Sequence, residues 1–345
     1  MLAITGSNGK STVTAMTGAM CRAAGLNTVV AGNIGVPVLD AALRARDQGQ
    51  PDVYVVELSS FQLETTQSLH CNAAALLNLS EDHLDRYASM ADYAAAKQRV
   101  FLHADHQVLN RDDAVSISMR DSKRAASSFG LSRPLSNAEF GVHDDHLFEG
   151  SGALMPVADM PVAGMHNVAN ALAAFALGRA IGLDTGRLAE GLRSFQALPH
   201  RLEKVAAVDS VTWYDDSKGT NVGSTVAALE GMTVPVVLIA GGIGKDQDFA
   251  PLASPVARKA RAVVLIGRDA HLIEAAIAGT NIPVVHAESM ESAVRAAQQR
   301  AQNGDAVVLS PACASFDMFR NYSHRGEVFA MCVRALETQG DGHAV

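Results

Sequence analysis

The sequence has few cysteines, and their spacing excludes the metal and disulfide patterns of cysteine-rich proteins. Four cysteines occur in 345 residues, at positions Cys21, Cys71, Cys313 and Cys332. These separations match neither a zinc motif nor a disulfide framework. The histidines contain no HxxxH pair on a helical pattern. We therefore expect buried thiols and no zinc site.

Basic residues and long apolar runs are also scarce. The chain has 28 Lys and Arg against 36 Asp and Glu residues, for a net charge of −8. This excess of negative charge disfavours binding to phosphate backbones and to anionic lipids. We therefore expect neither nucleic acid nor a membrane as a partner. No apolar run approaches the ~18 residues that cross a bilayer, and residues 1–10 lack the apolar core of a signal peptide. We expect a cytoplasmic monomer.

The alternation of short β-branched runs with alanine-rich stretches predicts an α/β protein with parallel sheets. The early strands are predicted at 53–58 and 73–79, and the early helices at 11–24, 90–102 and 168–181. A second series of strands is predicted at 211–214, 234–240, 262–266, 283–286 and 306–309.

The second series begins after Leu198-Pro199, where the proline resists helix formation. At about 150 residues per domain, the length also predicts two domains. We therefore expect one domain at 1–197 and another at 198–345, each with its own sheet. The polar segment 114–160 is weakly periodic, and we expect edge strands or a small antiparallel layer there.

A glycine-rich loop, TGSNGKST, lies between the first predicted strand and a helix. In such a loop backbone N–H groups turn toward a phosphate, Lys10 reaches the terminal phosphates, and the Ser11 hydroxyl binds Mg²⁺. The full GxxxxGK[ST] pattern is not met, because Ile4 occupies the first glycine position, and a glycine-rich turn with a chance lysine is the alternative. The residues expected to bind a nucleoside triphosphate here, which the resemblance described below implies to be ATP, are Gly6, Ser7, Asn8, Gly9, Lys10, Ser11 and Thr12.

Two further strands end in residues suited to a metal ion. Glu57 ends the strand at 53–58, and His83 follows the strand at 73–79, both at the carboxyl edge where α/β proteins bind ligands. An acidic loop with one histidine is often only a solvated turn. Because a phosphate loop lies at the same edge, we expect Glu57 and His83 to bind metal.

Lys97 falls in the apolar stripe of a predicted helix. On a helix that begins at Met90, it shares a face with Tyr93 and Phe101. One interpretation is an aliphatic stem whose ammonium reaches water. The other is a buried lysine with a lowered pKa and altered chemistry.

Seven segments in order resemble the ATP-dependent Mur ligases, and the resemblance covers essentially the whole chain. They are AITGSNGKST, GNIG, ELSSFQLETT, NLSEDHLDRY, LPHR, DDSKGTN and SPACAS. The resemblance implies a P-loop central ATPase domain with a parallel sheet, followed by a C-terminal Rossmann-like α/β domain that binds glutamate.

The resemblance also implies an activity, and it is strongest to the members that add glutamate. ATP would activate the carboxylate of UDP-N-acetylmuramoyl-L-alanine as an acyl phosphate, and the glutamate amine would then form the amide. This is a carbon–nitrogen ligase of peptidoglycan synthesis, a pathway of the cell wall, cell shape, cell division and the cell cycle. Two alternatives stay open: a sister ligase, such as one adding glutamate to folate, and an inactive nucleotide-binding fragment.

One departure from the family concerns the start of the chain. Family members carry an N-terminal domain that holds the uridine diphosphate, whereas here Met1 falls almost on the phosphate loop and the first strand is shortened. We expect either a truncated chain or a uridine site supplied by another chain.

Individual residues take implied roles from the resemblance. The counterpart of Lys97 is carbamylated by CO₂ and binds a second Mg²⁺ together with that of His83, and the implied metal ligands are Ser11, Glu57, His83 and Lys97. The residues implied in catalysis are Lys10, His83, Lys97 and Lys218. Further nucleotide contacts are implied for Asn170, Arg201 and Asp216, although an asparagine near a helix start is often a cap. The implied substrate contacts are Asn33, Ser59, Thr220, Lys245, Ser315 and Tyr322, and the glutamate enantiomer stays open.

Overall fold

The computed structural model describes residues 1–162 and 164–340. It divides into a first unit of Met1–Ser80 and Tyr87–Ala197 and a second unit of Glu81–Arg86 and the chain from Leu198 onward. The segment Glu81–Arg86 thus groups with the second unit, whereas the sequence analysis counted it with the first domain. Residues 163 and 341–345 of the expected domains lie outside the described part.

The first unit is built on a nine-stranded sheet with the order β2-β3-β1-β4-β5-β6-β7-β8-β9. Its strands are β1 (Leu2–Thr5), β2 (Thr28–Gly32), β3 (Val53–Glu57), β4 (Cys71–Leu76), β5 (Ala104–Asn110), β6 (Ala125–Phe129), β7 (Glu139–His143), β8 (His146–Glu149) and β9 (Gly152–Pro156). Its helices are α1 (Lys10–Ala23), α2 (Val38–Gln48), α3 (Ser60–Thr65), α4 (Met90–Gln98), α5 (Ala114–Ser118), α6 (Met165–Ala180) and α7 (Thr185–Arg193).

Strands β1 to β7 pair in parallel, and β1 lies between β3 and β4. Because the carboxyl ends of parallel strands meet at one edge, the loops after β1, β2, β3 and β4 emerge side by side. Strand β1 is fully buried, and α1 packs against α6 and α7. Helix α6 is buried on all sides over 171–177, as expected of an apolar helix inside a domain.

The antiparallel layer expected within 114–160 is confirmed at the end of this sheet. Strands β7, β8 and β9 pair antiparallel. Asp144 and Asp145 connect β7 to β8 with φ angles of 45° and 55°, and a type I′ hairpin turn requires positive φ at both central residues.

The second unit contains a separate six-stranded sheet with the order β10-β11-β15-β12-β13-β14. Its strands are β10 (Glu203–Val208), β11 (Val211–Asp215), β12 (Val236–Gly241), β13 (Ala260–Ile266), β14 (Val284–His286) and β15 (Ala306–Leu309). Its helices are α8 (Val222–Gly231), α9 (Ala253–Lys259), α10 (Ala270–Ile277), α11 (Met290–Arg300) and α12 (Tyr322–Gly340).

Separate apolar clusters pack this second sheet. One contains Trp213 and Phe329, and the other contains Leu238 and Phe249. The five strands expected after Pro199 are confirmed to within two residues at each end. Strand β10 was not expected; it pairs antiparallel with β11.

The prediction of buried thiols is confirmed for three of the four cysteines. Cys21, Cys71 and Cys313 are buried, whereas Cys332 is half-buried. No helix in the described ranges combines the length and apolarity needed to span a bilayer.

Candidate active site

The phosphate loop connects β1 to α1 at the carboxyl edge of the first sheet. Gly6 and Gly9 adopt φ angles of 152° and 81°, which side-chain-bearing residues rarely adopt. Gly9 occupies the N-cap position of α1, and Lys10 is the first helical residue. The amino end of a helix combines N–H donors with partial positive charge, so this loop is suited to an anion.

Residues at the end of β4 hold the loop in place. The side-chain amide of Asn78 accepts from the Asn8 N–H at 2.8 Å and donates to the Asn8 carbonyl at 3.1 Å. The Ser7 hydroxyl donates to the Ser80 carbonyl and accepts from the Ser80 N–H, each at 3.0 Å. The loop is therefore assembled by the fold itself.

Two lysines converge on the phosphate loop. Lys10 Nζ donates to the carbonyls of Gly6 at 2.9 Å and Ser7 at 2.8 Å. Lys97 Nζ, from α4, donates to the same Gly6 carbonyl at 2.8 Å and lies 4.6 Å from the centre of the Tyr93 ring. Lys97 is only 1% exposed, so the interpretation in which its ammonium reaches water is wrong. The stripe of α4 that carries it faces inward.

Asn170 lies against the same loop. A Cβ at Gly9 would come within 2.5 Å of Asn170 Oδ1, so this close approach requires glycine. The Asn170 amide also donates to Asn167 Oδ1 at 3.3 Å. Gly164 holds the N-cap position of α6, so the interpretation of Asn170 as a cap is wrong.

Glu57 ends β3, beside the phosphate-loop strand. Its Oε1 accepts from Asn33 Nδ2 at 3.0 Å, and the Asn33 N–H donates to the Glu57 carbonyl at 2.9 Å. The side chain is buried, and among the described residues its Oε2 has no hydrogen-bond partner. A buried carboxylate oxygen without a partner is costly in a protein and suits a bound cation.

Ser59 is engaged in its own helix. It is the N-cap of α3, where its hydroxyl accepts from the Gln62 N–H at 3.2 Å and contacts Gln62 Oε1 at 3.0 Å. A substrate contact from Ser59 stays a prediction.

In the second unit, the loops after β11 and β15 meet at Asp216. This carboxylate is buried and accepts from the Ser310 hydroxyl at 2.7 Å. Burial raises the pKa of Asp216 to about 7, although the Ser310 hydroxyl and the Arg201 charge act in the opposite direction. Asp216 thus changes charge near neutral pH.

Two expected site residues, Lys218 and Thr220, follow Asp216 closely in sequence, and a third, Tyr322, lies far along the chain. Lys218 Nζ lies 5.2 Å from the centre of the Tyr322 ring, and the Thr220 N–H donates to the Lys218 carbonyl. Tyr322 is the first residue of α12, and its ring meets the His200 ring edge-on. The structure therefore places Lys218 and Tyr322 together.

The loops after β12 and β15 also pair with each other. Ile243 and Ala314 exchange two backbone hydrogen bonds of 2.9 Å. The next residue after Ala314, Ser315, is buried. Lys245 follows on the first loop with a φ of 54°, and its Nζ contacts the Asp82 carboxylate at 2.5 Å.

His83 lies in the segment Glu81–Arg86 of the second unit. Its φ is 57°, its N–H donates to Asp82 Oδ1 at 3.0 Å, and its side chain is 35% exposed. The other expected metal ligands, Ser11, Glu57 and Lys97, belong to the first unit. A common metal site for the four therefore stays a prediction.

Sequence reasoning missed Arg325, which joins the loops that follow β11 and β15. Its guanidinium is 1% exposed and donates to the carbonyls of Cys313 at 3.1 Å and Ser217 at 2.8 Å. Its place in the first turn of α12, near the expected site residue Tyr322, was the only available signal. The neighbouring thiol fits a packing role, because burial raises the pKa of Cys313 to about 12.

A cluster of His200, Glu203 and Asp215 was also missed. Their ligand atoms lie within 4.8 Å of one another, the one such grouping found in the described chain. Both ring nitrogens of His200 are already engaged, by Asp215 at 2.7 Å and by Ser323 at 2.9 Å. The cluster is a hydrogen-bonded network, and we assign no metal to it.

The model of the Mur ligase middle domain matches residues 4–178, and that of the Mur ligase, glutamate ligase domain matches residues 200–313. The chain belongs to the Mur ligase family. Members of this family are ATP-dependent amide ligases of peptidoglycan precursor synthesis, which confirms the expected family, fold class and enzyme class.

Two relatives share more than half of their aligned residues with this Mur ligase. The UDP-N-acetylmuramoylalanine–D-glutamate ligase of Thiobacillus denitrificans is 59% identical over 343 residues, covering 98% of this chain and 72% of the relative. The protein of the same name from Nitrosospira multiformis is 55% identical, covering 99% of this chain and 74% of the relative.

Solved structures of low sequence identity share the fold. MurF from Acinetobacter baumannii aligns with a TM-score of 0.72 at 19% identity, covering 96% of this chain and 76% of that one. Folylpolyglutamate synthase from Mycobacterium tuberculosis, complexed with ADP and AMPPCP, gives 0.69 at 16% identity, covering 95% and 90%.

Proposed function

We propose that this chain joins D-glutamate to UDP-N-acetylmuramoyl-L-alanine in an ATP-driven step of peptidoglycan precursor synthesis. The names of the relatives supply the substrates, including the glutamate enantiomer that the sequence left open. The observation that carries the proposal is the convergence of Lys10 and Lys97 on the Gly6 carbonyl. Fixed positive charge beside preassembled N–H donors is the main requirement of phosphoryl transfer.

The reaction has two steps. The terminal phosphoryl group of ATP passes to the substrate carboxylate, which gives an acyl phosphate and ADP. The amine nitrogen of glutamate then attacks the acyl carbon, an amide forms, and phosphate and a proton leave. Lys10 would stabilise the charge on the transferring phosphoryl group. The other residues proposed to bind the nucleotide are Gly6, Ser7, Asn8, Gly9, Ser11, Thr12, Asn170, Arg201 and Asp216.

Glu57 is the residue that best supports a Mg²⁺ requirement. Its buried Oε2 has no partner among the described residues, so its donor chemistry fits a hard cation. When bound, Mg²⁺ would neutralise phosphate charge. We propose two ions, held by Ser11, Glu57, His83 and a carbamylated Lys97.

Carbamylation of Lys97 would convert a cation into an anion. The neutral amine would add CO₂ to give a carbamate and release one proton. The burial of Lys97 supports this, because a buried ammonium is costly beside the Lys10 charge at the same carbonyl.

The second unit is proposed to position the amino acid. Lys218 would act in catalysis beside the nucleotide, and Thr220, Lys245, Ser315 and Tyr322 would bind glutamate. In the first unit, Asn33 and Ser59 would contact the muramoyl substrate. For Asn33, this role is supported by its hydrogen bond to the Glu57 carboxylate.

The decisive experiment is phosphate release from the full chain with ATP, Mg²⁺ and the muramoyl nucleotide. We expect release to require D-glutamate and to fall about 1,000-fold in Lys10→Ala. Lys123→Ala, which removes an exposed lysine, is the matched control. Higher turnover with another amino acid or with a folate acceptor would identify a sister ligase. A chain that binds ATP but has no affinity for the muramoyl nucleotide would be a nucleotide-binding fragment.

We further propose that the protein acts as a monomer in the cytoplasm, without nucleic acid or membrane partners. Its substrates are then ATP, glutamate and the muramoyl nucleotide. Light scattering of the purified chain tests the monomer, and a dimer mass would contradict it.

A further inference from the structure

The second unit contains a carboxylate-binding site that holds one of the protein's own carboxylates. Lys245 Nζ contacts Asp82 Oδ1 at 2.5 Å, and Asn221 Nδ2 donates to Asp82 Oδ2 at 3.3 Å. The side chains of Asp82 and Lys245 are 9% and 12% exposed. An ammonium on one oxygen and an amide on the other are donors that suit a carboxylate.

The Asn221 side chain and the backbone that carries Lys245 are anchored by contacts other than those with Asp82. Asn221 caps α8, where its side chain accepts from the Ser224 N–H at 2.9 Å. The backbone around Lys245 is fixed by Gln247, whose amide donates to the carbonyls of Gly244 at 2.8 Å and Ala312 at 2.9 Å. These contacts hold the Asn221 side chain and the backbone that carries Lys245, and neither depends on the Asp82 carboxylate.

Asp82, in contrast, lies in a segment without regular structure. Residues 81–86 contain no helix or strand residue. Glu81 in this segment also contacts the rest of the second unit, because its exposed carboxylate accepts from the Asp248 N–H at 3.0 Å. Release of Asp82 therefore requires no helix or strand to break.

We propose that Asp82 is a specificity-determining residue that competes with a substrate carboxylate for Lys245 and Asn221. The inference rests on the proposed function, in which Lys245 binds glutamate. In the absence of substrate, Asp82 neutralises a buried ammonium that would otherwise be costly. A small anion with one carboxylate gains too little binding free energy to displace Asp82. An acidic amino acid also has an amine and a second carboxylate, and the contacts of these groups add to its binding free energy.

The test is the affinity of the full chain for D-glutamate, measured by isothermal titration. Asp82→Asn keeps the side-chain shape and the oxygen that accepts from the His83 N–H, but removes the competing charge. We expect about tenfold tighter glutamate binding, together with measurable binding of acetate. Glu81→Gln removes the neighbouring carboxylate, which contacts only a backbone N–H among the bonds described, and is the matched control with wild-type affinity. Unchanged or weaker glutamate binding in Asp82→Asn would overturn the inference.

A measurement on the wild-type chain covers the case in which the variant does not fold. Saturating D-glutamate should accelerate amide hydrogen exchange in residues 81–86, because the displaced segment loses its anchor. Slower or unchanged exchange there would overturn the inference. If the wild type binds no D-glutamate, the proposed function fails as well. If it binds D-glutamate but Asp82→Asn binds no more tightly, only the inference fails.

Discussion

Lys10 and Lys97 donate to the same carbonyl oxygen, that of Gly6, at 2.9 Å and 2.8 Å. One lysine begins the helix after the phosphate loop, and the other comes from α4. Two ammonium groups on one oxygen repel each other, and burial strengthens that repulsion. The arrangement is therefore suited to anionic ligands or to loss of one positive charge.

Lys97 should take up CO₂. In protein equilibrated with ¹³C-labelled bicarbonate, we expect a carbamate carbon signal by NMR that is absent from Lys97→Met. Lys123→Met, which changes an exposed lysine, should retain the signal. A signal that persists in Lys97→Met would assign the carbamate to another amine and refute the proposal.

Glu57→Gln should stabilise the protein while it weakens metal use. In metal-free buffer, we expect the free energy of unfolding to rise by about 1 kcal/mol, because a buried carboxylate oxygen without a partner becomes a neutral amide. The Mg²⁺ concentration for half-maximal phosphate release should rise at least about tenfold. Urea unfolding and a Mg²⁺ titration measure the two effects. Glu288→Gln, at an exposed position, is the control, and a Glu57→Gln protein less stable than wild type would contradict the argument.

Asp216 should make stability depend on pH in an unusual direction for an acidic residue. Its pKa of about 7 in the folded protein exceeds the ordinary value of 3.8, so the folded state retains a proton that the unfolded chain has released. Below the ordinary pKa, the contribution of Asp216 to the free energy of unfolding is fully present. This contribution is lost as the pH rises through the pKa that Asp216 has in the folded protein. The slope approaches about 1.4 kcal/mol per pH unit.

Asp216→Asn, a neutral isostere, should lack this slope. Urea unfolding between about pH 5 and about pH 7 compares the two proteins. Asp47→Asn, which removes an exposed carboxylate, should follow the wild type. Parallel pH profiles for wild type and Asp216→Asn would show that burial does not raise this pKa.

The parts predicted from sequence are those that depend on local pattern. The phosphate loop, its helix and the strand ending at Glu57 follow from residues adjacent in the chain. The hairpin between β10 and β11 escaped prediction, because its turn consists of Asp209 and Ser210 rather than glycine, both at positive φ. Neither aspartate nor serine indicates a left-handed turn as strongly as glycine does.

The contacts that give the site its chemistry depend on residues far apart in sequence. Lys97 and Gly6 are separated by 91 positions, and Lys245 and Asp82 by 163. A helical wheel could place Lys97 on an apolar stripe, but only the packed sheet shows which carbonyl meets its ammonium. The competition between Asp82 and a substrate carboxylate had no signal in the local pattern.

The bonds between Asn78 and Asn8 fix the phosphate loop to the residues that follow β4. The conformational entropy of these residues is lost when the first unit folds, rather than when ATP arrives. Binding energy from the phosphates is thereby left for the reaction itself. A chain in which this loop had to become ordered around each nucleotide would lose part of that energy in every catalytic cycle.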